Sequence, residues 1–209
     1  MHKENIFQKI TSALNALNRD SLEEAITFVF PALDATAKLC YPEKKPSERV
    51  RKLLRDEQNF IFQISTLGNV KHEGNLTFEK DKQIAWESWV YHNIRCADTH
   101  EAGLDYSKIE LIEKDYGFSI FRYNSELNSF TAGGSKKFVI SKHSIIALIL
   151  IIQLEEKNKS LKFDTTYSIN QKTFSVADYL GNKNNLLKFL FPKEPIIRIG
   201  EKGTINVKS

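Results

Sequence analysis

The residues able to do chemistry are densest between Tyr91 and Gly103. This segment holds seven side chains that donate, accept or carry charge: His92, Asn93, Arg95, Asp98, Thr99, His100 and Glu101. Histidine exchanges a proton near neutral pH, and arginine offers a planar fork of donors that matches a phosphate group. Arg95 and His100 together could therefore activate a 2′-hydroxyl and stabilise charge at phosphorus. That chemistry is metal-independent cleavage of RNA.

An ordinary amphipathic helix explains the same residues. In that interpretation Arg95 pairs with Asp98, and His100 lies near the negative end of the helix dipole. Residues five apart lie about 140° apart around an ideal helix, so Arg95 and His100 converge only if the last turn loosens before Gly103. Residue types alone leave both interpretations open.

Helical periodicity dominates the first half of the chain. Apolar residues at 3.6-residue spacing predict four helices, over 4–18, 21–40, 47–68 and 79–102. We expect Ser21 and Glu24 to form a capping box, and Gly68 to end the third helix in a left-handed conformation. Four helices with short connections are typical of an antiparallel bundle.

The second half mixes strands and helices. Strands are expected over 117–123, 137–141, 162–170, 195–199 and 204–208. The first two would form a hairpin through 124–134, and the last two a terminal hairpin. Ser141 is expected to cap an apolar helix over 142–158, and Gly181 to divide 176–190 into two short helices.

These patterns predict an α+β protein that is predominantly helical. Residues 1–158 would form a helical domain with a hairpin at about 117–141. Residues 159–209 would form a C-terminal α/β extension packed on the same core.

Composition excludes several classes of protein. A chain of 209 residues with 41% hydrophobic and 27% charged residues can bury a core, so it is not predominantly disordered. Two cysteines, Cys40 and Cys96, make neither a disulfide framework nor a metal motif. The longest apolar run, 145–152, is too short to cross a bilayer. Because the N-terminus lacks the apolar stretch of a signal peptide, we expect a cytoplasmic protein. We also expect that it uses no cofactor and no metal.

The net charge of +4 is unevenly distributed. Residues 38–55 hold seven basic and two acidic side chains, or +5, whereas residues 79–115 hold five basic and nine acidic, or −4. Arg51 and Arg55 are four residues apart and share a helix face, so we predict that they contact phosphates. Asn93, Asp98 and Glu101 would support a substrate beside Arg95. RNA approaching Arg95 would then be held largely by the segment 38–55.

The spacing of Arg95 and His100 also fits the R-x4–6-H signature of the HEPN superfamily (higher eukaryotes and prokaryotes nucleotide-binding domains). With Ala32–Lys38 and Arg49–Asp56, the chain resembles bacterial HEPN-like proteins over about residues 20–155. The resemblance implies a metal-independent endoribonuclease, active as a homodimer with Arg95 and His100 of both protomers in one cleft. It also implies a role in toxin–antitoxin or phage-defence systems, with an antitoxin protein as a further partner.

Two alternatives stay open. Other HEPN proteins are inactive and bind RNA or a partner. Cys96 favours such an inactive protein, because the family often has a polar residue directly after the arginine. In the third interpretation, the C-terminal strands offer an edge to a partner protein. Only Arg95 and His100 match the motif itself. The roles of the other predicted site residues rest on position and charge alone.

Overall fold

A computed structural model describes most of the chain. The described residues are 2–72, 77–78, 84–96, 103–113, 116–119, 121–124, 129–132, 137–199 and 205–207. They form an α+β structure in which N-terminal helices pack together with small sheets, as predicted. Among these residues, no helix combines the length and the apolar character needed to cross a membrane.

Four helices make up the first part of the fold. They are α1 (His2–Asn18), α2 (Leu22–Cys40), α3 (Pro46–Asp56) and α4 (Gln58–Ser65). α1 and α2 pack on each other along the predicted apolar stripes, and α2 also packs on α3. The capping box predicted at Ser21 is absent, because the Ser21 side chain makes no capping bond and Glu24 instead accepts from Arg19 at 2.9 Å.

The third predicted helix is two helices. The chain leaves helical geometry at Glu57, between α3 and α4. α3 packs on α2, whereas α4 packs mainly on a later apolar helix, so the break lets each half follow its own neighbour. Gly68 has φ +79°, as predicted, and a Cβ there would lie 2.7 Å from the Phe191 ring.

The fourth helix predicted over 79–102 is only partly confirmed, because its described helical residues are 86–96 and Ile84–Ala85 form a strand. A two-stranded hairpin, β2 (Thr77–Phe78) with β3 (Ile84–Ala85), precedes a short α5 (Trp86–Val90) and a π-helical turn (Tyr91–Cys96). β1 (Val70–His72) lies just before this hairpin. Trp86 and Trp89 anchor α5 in the core, as predicted, whereas Ile84 and Ala85 pair with β2 and so are not helical.

The largest sheet has five strands in the order β4-β8-β5-β6-β7. The strands are β4 (Ile109–Ile112), β5 (Tyr116–Ser119), β6 (Phe121–Asn124), β7 (Ser129–Ala132) and β8 (Phe138–Ser141). The strand predicted at 117–123 is therefore two strands that fold back on each other, and β6 pairs with β7. β8 pairs antiparallel with β5 and parallel with β4, so the predicted two-stranded hairpin is part of a larger sheet.

The apolar helix α6 (Lys142–Gln153) lies at the centre of the molecule. Nine of its residues are buried, and it contacts α2, α4, β5 and β8. Ser141 caps it as predicted, and Ser144 completes a capping box. The helix ends before the predicted 158, because residues 156–161 form a 3₁₀ helix (Glu156–Leu161).

The C-terminal elements pack on the same core. They are β9 (Thr166–Ile169), β10 (Lys172–Ser175), a 3₁₀ helix (Val176–Tyr179), α7 (Lys183–Leu190), β11 (Ile197–Ile199) and β12 (Ile205–Val207). The break at Gly181 and the terminal hairpin follow the prediction. β11 additionally pairs in parallel with β1, which joins the end of the chain to its middle.

Replacing Ser144 by alanine tests the cap of α6. The buried Ser144 hydroxyl accepts from the Ser141 backbone N–H at 3.0 Å and donates to the Gly117 carbonyl at 2.5 Å. Losing both bonds leaves buried polar groups unpaired, so Ser144→Ala is expected to lower the free energy of unfolding by about 1–3 kcal/mol in urea denaturation. The exposed Ser168→Ala serves as control, and an equal loss in both variants would contradict this account.

Candidate nucleic-acid interface

Arg95 is held against α2 by an ion pair. It lies on the π-helical turn, and its Nη2 is 3.3 Å from Oδ2 of Asp34. Its guanidinium also lies 5.5 Å from the centre of the Tyr91 ring, and its side chain is 18% exposed. Asp34 is a partner that the amphipathic-helix interpretation did not foresee, because it lies 61 residues away in sequence.

Asp34 binds a second arginine. Arg49 on α3 donates to Oδ1 of Asp34 from Nε at 3.2 Å and from Nη2 at 3.0 Å. One carboxylate therefore joins two guanidinium groups, and α2, α3 and the π-helical turn meet at this point. Arg95 acts here as a structural connector.

Of the other predicted site residues in this segment, the structure describes only Asn93. Asp98, His100 and Glu101 lie outside the described residues. Asn93 is described, and its Nδ2 donates to the Trp89 carbonyl at 3.0 Å within the same helical turn. Convergence of Arg95 and His100, and RNA cleavage by them, stay predictions.

Arg51 and Arg55, the two residues predicted to contact phosphates, make hydrogen bonds within the protein. Arg55 donates to Oε1 of Glu87 from Nε at 2.9 Å and from Nη2 at 2.5 Å. The Glu87 side chain is only 3% exposed, so Arg55 neutralises a buried carboxylate. Arg51 donates to the Ser47 carbonyl at 3.0 Å and to Oγ of Ser88 at 3.4 Å.

A second concentration of basic side chains lies in the C-terminal part of the fold. Two adjoining cavities, of about 610 and 410 Å³, share Phe191, Pro192, Lys193 and Glu194. We call them together the basic groove. Its charged lining residues are Lys71, Lys172, Lys188, Lys193, Arg198 and Glu194, and its carboxamides are Asn59, Gln63, Asn69, Asn170 and Asn184.

Charge in the basic groove is strongly positive. Five cations against one described carboxylate give +4, which equals the net charge of the whole chain. The one carboxylate, Glu194, is paired with Arg198. In the segment 38–55, Arg49, Lys52 and Arg55 are each paired with a carboxylate.

An exposed aromatic ring adjoins the basic groove. The Phe189 side chain is 39% exposed, and Nζ of Lys172 lies 5.1 Å from the centre of its ring. Lys172 also donates to the Phe189 carbonyl. A cation and an aromatic face are thus presented together beside the groove.

The basic groove is not visible as a sequence pattern. Its cations lie on β1, β10, α7, β11 and the segment between the last two elements, so no local run of charge marks it. The parallel pairing of β1 with β11 brings Lys71 opposite Arg198. The only local sign is the density of basic residues between 183 and 198, which also contains Glu194.

His72 lies in the core behind the basic groove. Its backbone N–H donates to Oδ1 of Asn59 at 3.3 Å, and Asn59 itself lines the groove. The imidazole is fully buried, its ring centre lies 4.5 Å from that of the Phe62 ring at an interplanar angle of 36°, and it has no hydrogen-bond partner within the described part of the chain. Burial lowers the pKa of His72 to about 4, so the ring is neutral at pH 7.

Cys40 is unsuited to nucleophilic chemistry. Burial, followed by the charge of Glu155, raises the pKa of its thiol to about 12. In the described ranges, moreover, no three side chains of His, Cys, Asp or Glu are grouped so that they could hold a metal ion.

Comparison with known proteins places the chain outside the family that the motif suggested. A family model described as Rv1289 matches residues 5–200, which is nearly the whole chain. The HEPN assignment is therefore wrong. Two residues at a loosely fixed spacing are too little to define a family. No curated protein and no solved structure matches the chain.

The pair between Arg55 and Glu87 is expected to stabilise the fold. Arg55→Met leaves the buried Glu87 carboxylate without its cation and should lower the free energy of unfolding by about 1–3 kcal/mol, less than for a fully buried pair because the Arg55 side chain is 54% exposed. Adding Glu87→Gln should recover part of the loss in a double-mutant cycle. Lys52→Met, which breaks an exposed pair with Asp56, is the control and should cost less than about 1 kcal/mol. Strictly additive losses would show that Arg55 and Glu87 do not interact.

His72 makes stability depend on pH. The unfolded state binds a proton on this ring below pH 6.5, whereas the folded state binds one only near pH 4. The free energy of unfolding should therefore be constant above pH 6.5 for this group and fall by up to about 3 kcal/mol as the pH decreases to 4. His72→Phe should make the profile less steep in urea denaturation at pH 4–8, and His143, whose pKa burial also lowers to about 4, should account for a remaining decrease. An unchanged profile would contradict the neutral buried ring.

Proposed function

The chain belongs to the Rv1289 family, and we propose that it binds single-stranded RNA in the basic groove without cleaving it there. The observation that carries this proposal is the charge of the groove, in which five cations face one carboxylate that is already paired. A phosphate backbone is the ligand that such a surface attracts most strongly.

The distribution of the cations favours a chain of phosphates over one phosphate group. Four of the five are lysines, which act as point charges on flexible stems and do not form a rigid fork. The remaining cation, Arg198, already binds Glu194. The lysines are spread along two adjoining cavities, so successive phosphates of one strand can each meet a cation.

Neighbouring groups favour a single strand. Phe189 offers an exposed ring beside Lys172, and unpaired bases stack on such rings at about 1–3 kcal/mol per base. Carboxamides of Asn59, Gln63 and Asn184 line the groove and supply donors and acceptors for base edges and the 2′-hydroxyl. A duplex would present neither its base faces nor its Watson–Crick edges to them.

Binding is favoured over cleavage at this site because no described histidine lines the basic groove. His72, which follows the groove residue Lys71 in the chain, has an imidazole that is fully buried and neutral at pH 7. Cleavage at Arg95 and His100 would be a separate activity. The predicted homodimer, the antitoxin partner and a role in phage defence likewise stay predictions.

Neutralising two groove lysines tests the proposal. Lys188→Gln with Lys193→Gln should weaken binding of a fluorescent 20-nucleotide single-stranded RNA about tenfold at low salt, because two phosphate contacts are lost. The slope of log K against log salt should also become shallower by about 1.4. The matched control removes the same charge from the segment 38–55, as Lys44→Gln with Lys45→Gln, and should bind like the unmodified protein.

The outcomes separate the competing interpretations. If the Lys44 and Lys45 variant loses affinity and the groove variant does not, RNA is held by the segment 38–55 and the proposal is wrong. Equal affinity for duplex RNA would contradict the role of stacking, and preference for DNA of the same sequence would contradict recognition of the 2′-hydroxyl. RNA cut in EDTA into products with 2′,3′-cyclic phosphate ends, with cutting lost in Arg95→Ala, would establish the separate nuclease activity.

A further inference from the structure

One carboxamide in the wall of the basic groove is held in a fixed orientation. Asn59 and Gln63 lie one turn apart on α4, and both line the larger cavity, of about 610 Å³. The backbone N–H of His72 donates to the Asn59 side chain at 3.3 Å. Because a backbone N–H can only donate, the Asn59 atom that receives it must be the amide oxygen, Oδ1.

The orientation of Gln63 follows from that of Asn59. The Gln63 side chain bonds to the same oxygen at 3.0 Å, so its bonding atom must be the donor, Nε2. Oδ1 of Asn59 thus accepts two hydrogen bonds, which occupy both of its lone pairs. Each amide then keeps one group that is not used in this network. Asn59 keeps the donor Nδ2, and Gln63 keeps the acceptor Oε1.

These two remaining groups are open to solvent. Both residues are half-buried, and within the described ranges neither Nδ2 of Asn59 nor Oε1 of Gln63 has a hydrogen-bond partner. Neither atom is enclosed by the protein, unlike the two ring nitrogens of His72 behind them. Since the two side chains are hydrogen-bonded to each other, the wall of the groove carries a free donor next to a free acceptor.

We propose that Asn59 and Gln63 bind one base of the RNA strand along its Watson–Crick edge, an inference that rests on the proposed function. For uracil, N3–H donates to Oε1 of Gln63, and a neighbouring carbonyl oxygen accepts from Nδ2 of Asn59. Adenine, cytosine and guanine also place an acceptor beside a donor on this edge. The pair therefore requires an unpaired base but accepts any of the four.

A base edge suits this pair better than a phosphate group does. Phosphate oxygens only accept hydrogen bonds, so a phosphate would leave Oε1 of Gln63 facing an acceptor. The same cavity offers Lys188 and Lys193 to phosphates. The lysines and the carboxamides thus divide the two parts of a nucleotide between them.

Two methylated forms of oligouridine test the contact. In 3-methyluridine the methyl group replaces the hydrogen that would be donated to Gln63, whereas in 5-methyluridine it lies on another edge of the ring. In fluorescence anisotropy with the full chain, the 3-methyluridine oligomer should bind about fivefold more weakly than oligouridine, because one hydrogen bond is lost. The 5-methyluridine oligomer should bind like oligouridine. Equal affinities of all three would overturn the proposal, including the case in which the pair binds the 2′-hydroxyl.

Variants assign the effect of methylation to this pair. Gln63→Met removes the acceptor and keeps the length of the side chain, so it should bind oligouridine and the 3-methyluridine oligomer equally. Gln8→Met makes the same change at an exposed position of α1, outside the groove lining, and should keep the difference between the two oligomers. A difference that persists in Gln63→Met would overturn the assignment.

The lysine variant separates this inference from the proposed function. If Lys188→Gln with Lys193→Gln weakens binding of oligouridine but methylation at N3 has no effect, RNA lies in the basic groove and only the base contact is wrong. If the lysine variant binds oligouridine as tightly as the unmodified protein, RNA lies elsewhere and both are overturned.

Discussion

The burial of α6 on all sides is the constraint on which the rest of this structure depends. A helix with the sequence IIALILII between its caps has no polar face to turn to solvent, so it must be covered on every side. α2 and α4 cover one part of it, and β5 and β8 of the large sheet cover another. Each buried leucine or isoleucine contributes about 1.5–3 kcal/mol, so this one element gathers segments from the whole length of the chain.

Covering α6 with helices on the N-terminal side brings carboxylates into partly buried positions. Asp34 and Glu87 lie where α2, α3 and α5 approach one another, and charges there need close partners. The arginines of α3 supply those partners. The basic residues of α3 are typical of a polyanion-binding helix, but most of them are neutralised by carboxylates within the fold. These ion pairs also fix how the helices are oriented, which hydrophobic contacts alone would do less specifically.

The C-terminal side of the core has the opposite electrostatic character. α7 packs on α4 and β11 pairs with β1, and Lys188 of α7 and Arg198 of β11 line a surface on which Glu194 is the one described carboxylate. The parallel pairing of β1 and β11 shapes the basic groove and also encloses His72 behind Asn59. The same packing thus produces a positive surface outside and a neutral imidazole inside.

The sequence by itself determined the elements whose signals are local. Apolar spacing predicted α1, α2 and α6, Ser141 marked the start of α6, and Gly68 marked the left-handed turn that follows α4. The class of the fold followed from these patterns, because cap bonds and apolar stripes act over a few residues.

Only the tertiary structure decided the rest. The break at Glu57 depends on which neighbours α3 and α4 meet, and the short α5 depends on strand pairing between residues that also suit a helix. The partners of Arg55 and Arg95 lie 32 and 61 residues away, and the basic groove assembles cations from four elements and one connecting segment. Residues far apart in sequence together set the charge of a folded surface. Whether a cation is neutralised by a carboxylate of the protein or can bind a ligand therefore depends on tertiary contacts that no local pattern encodes.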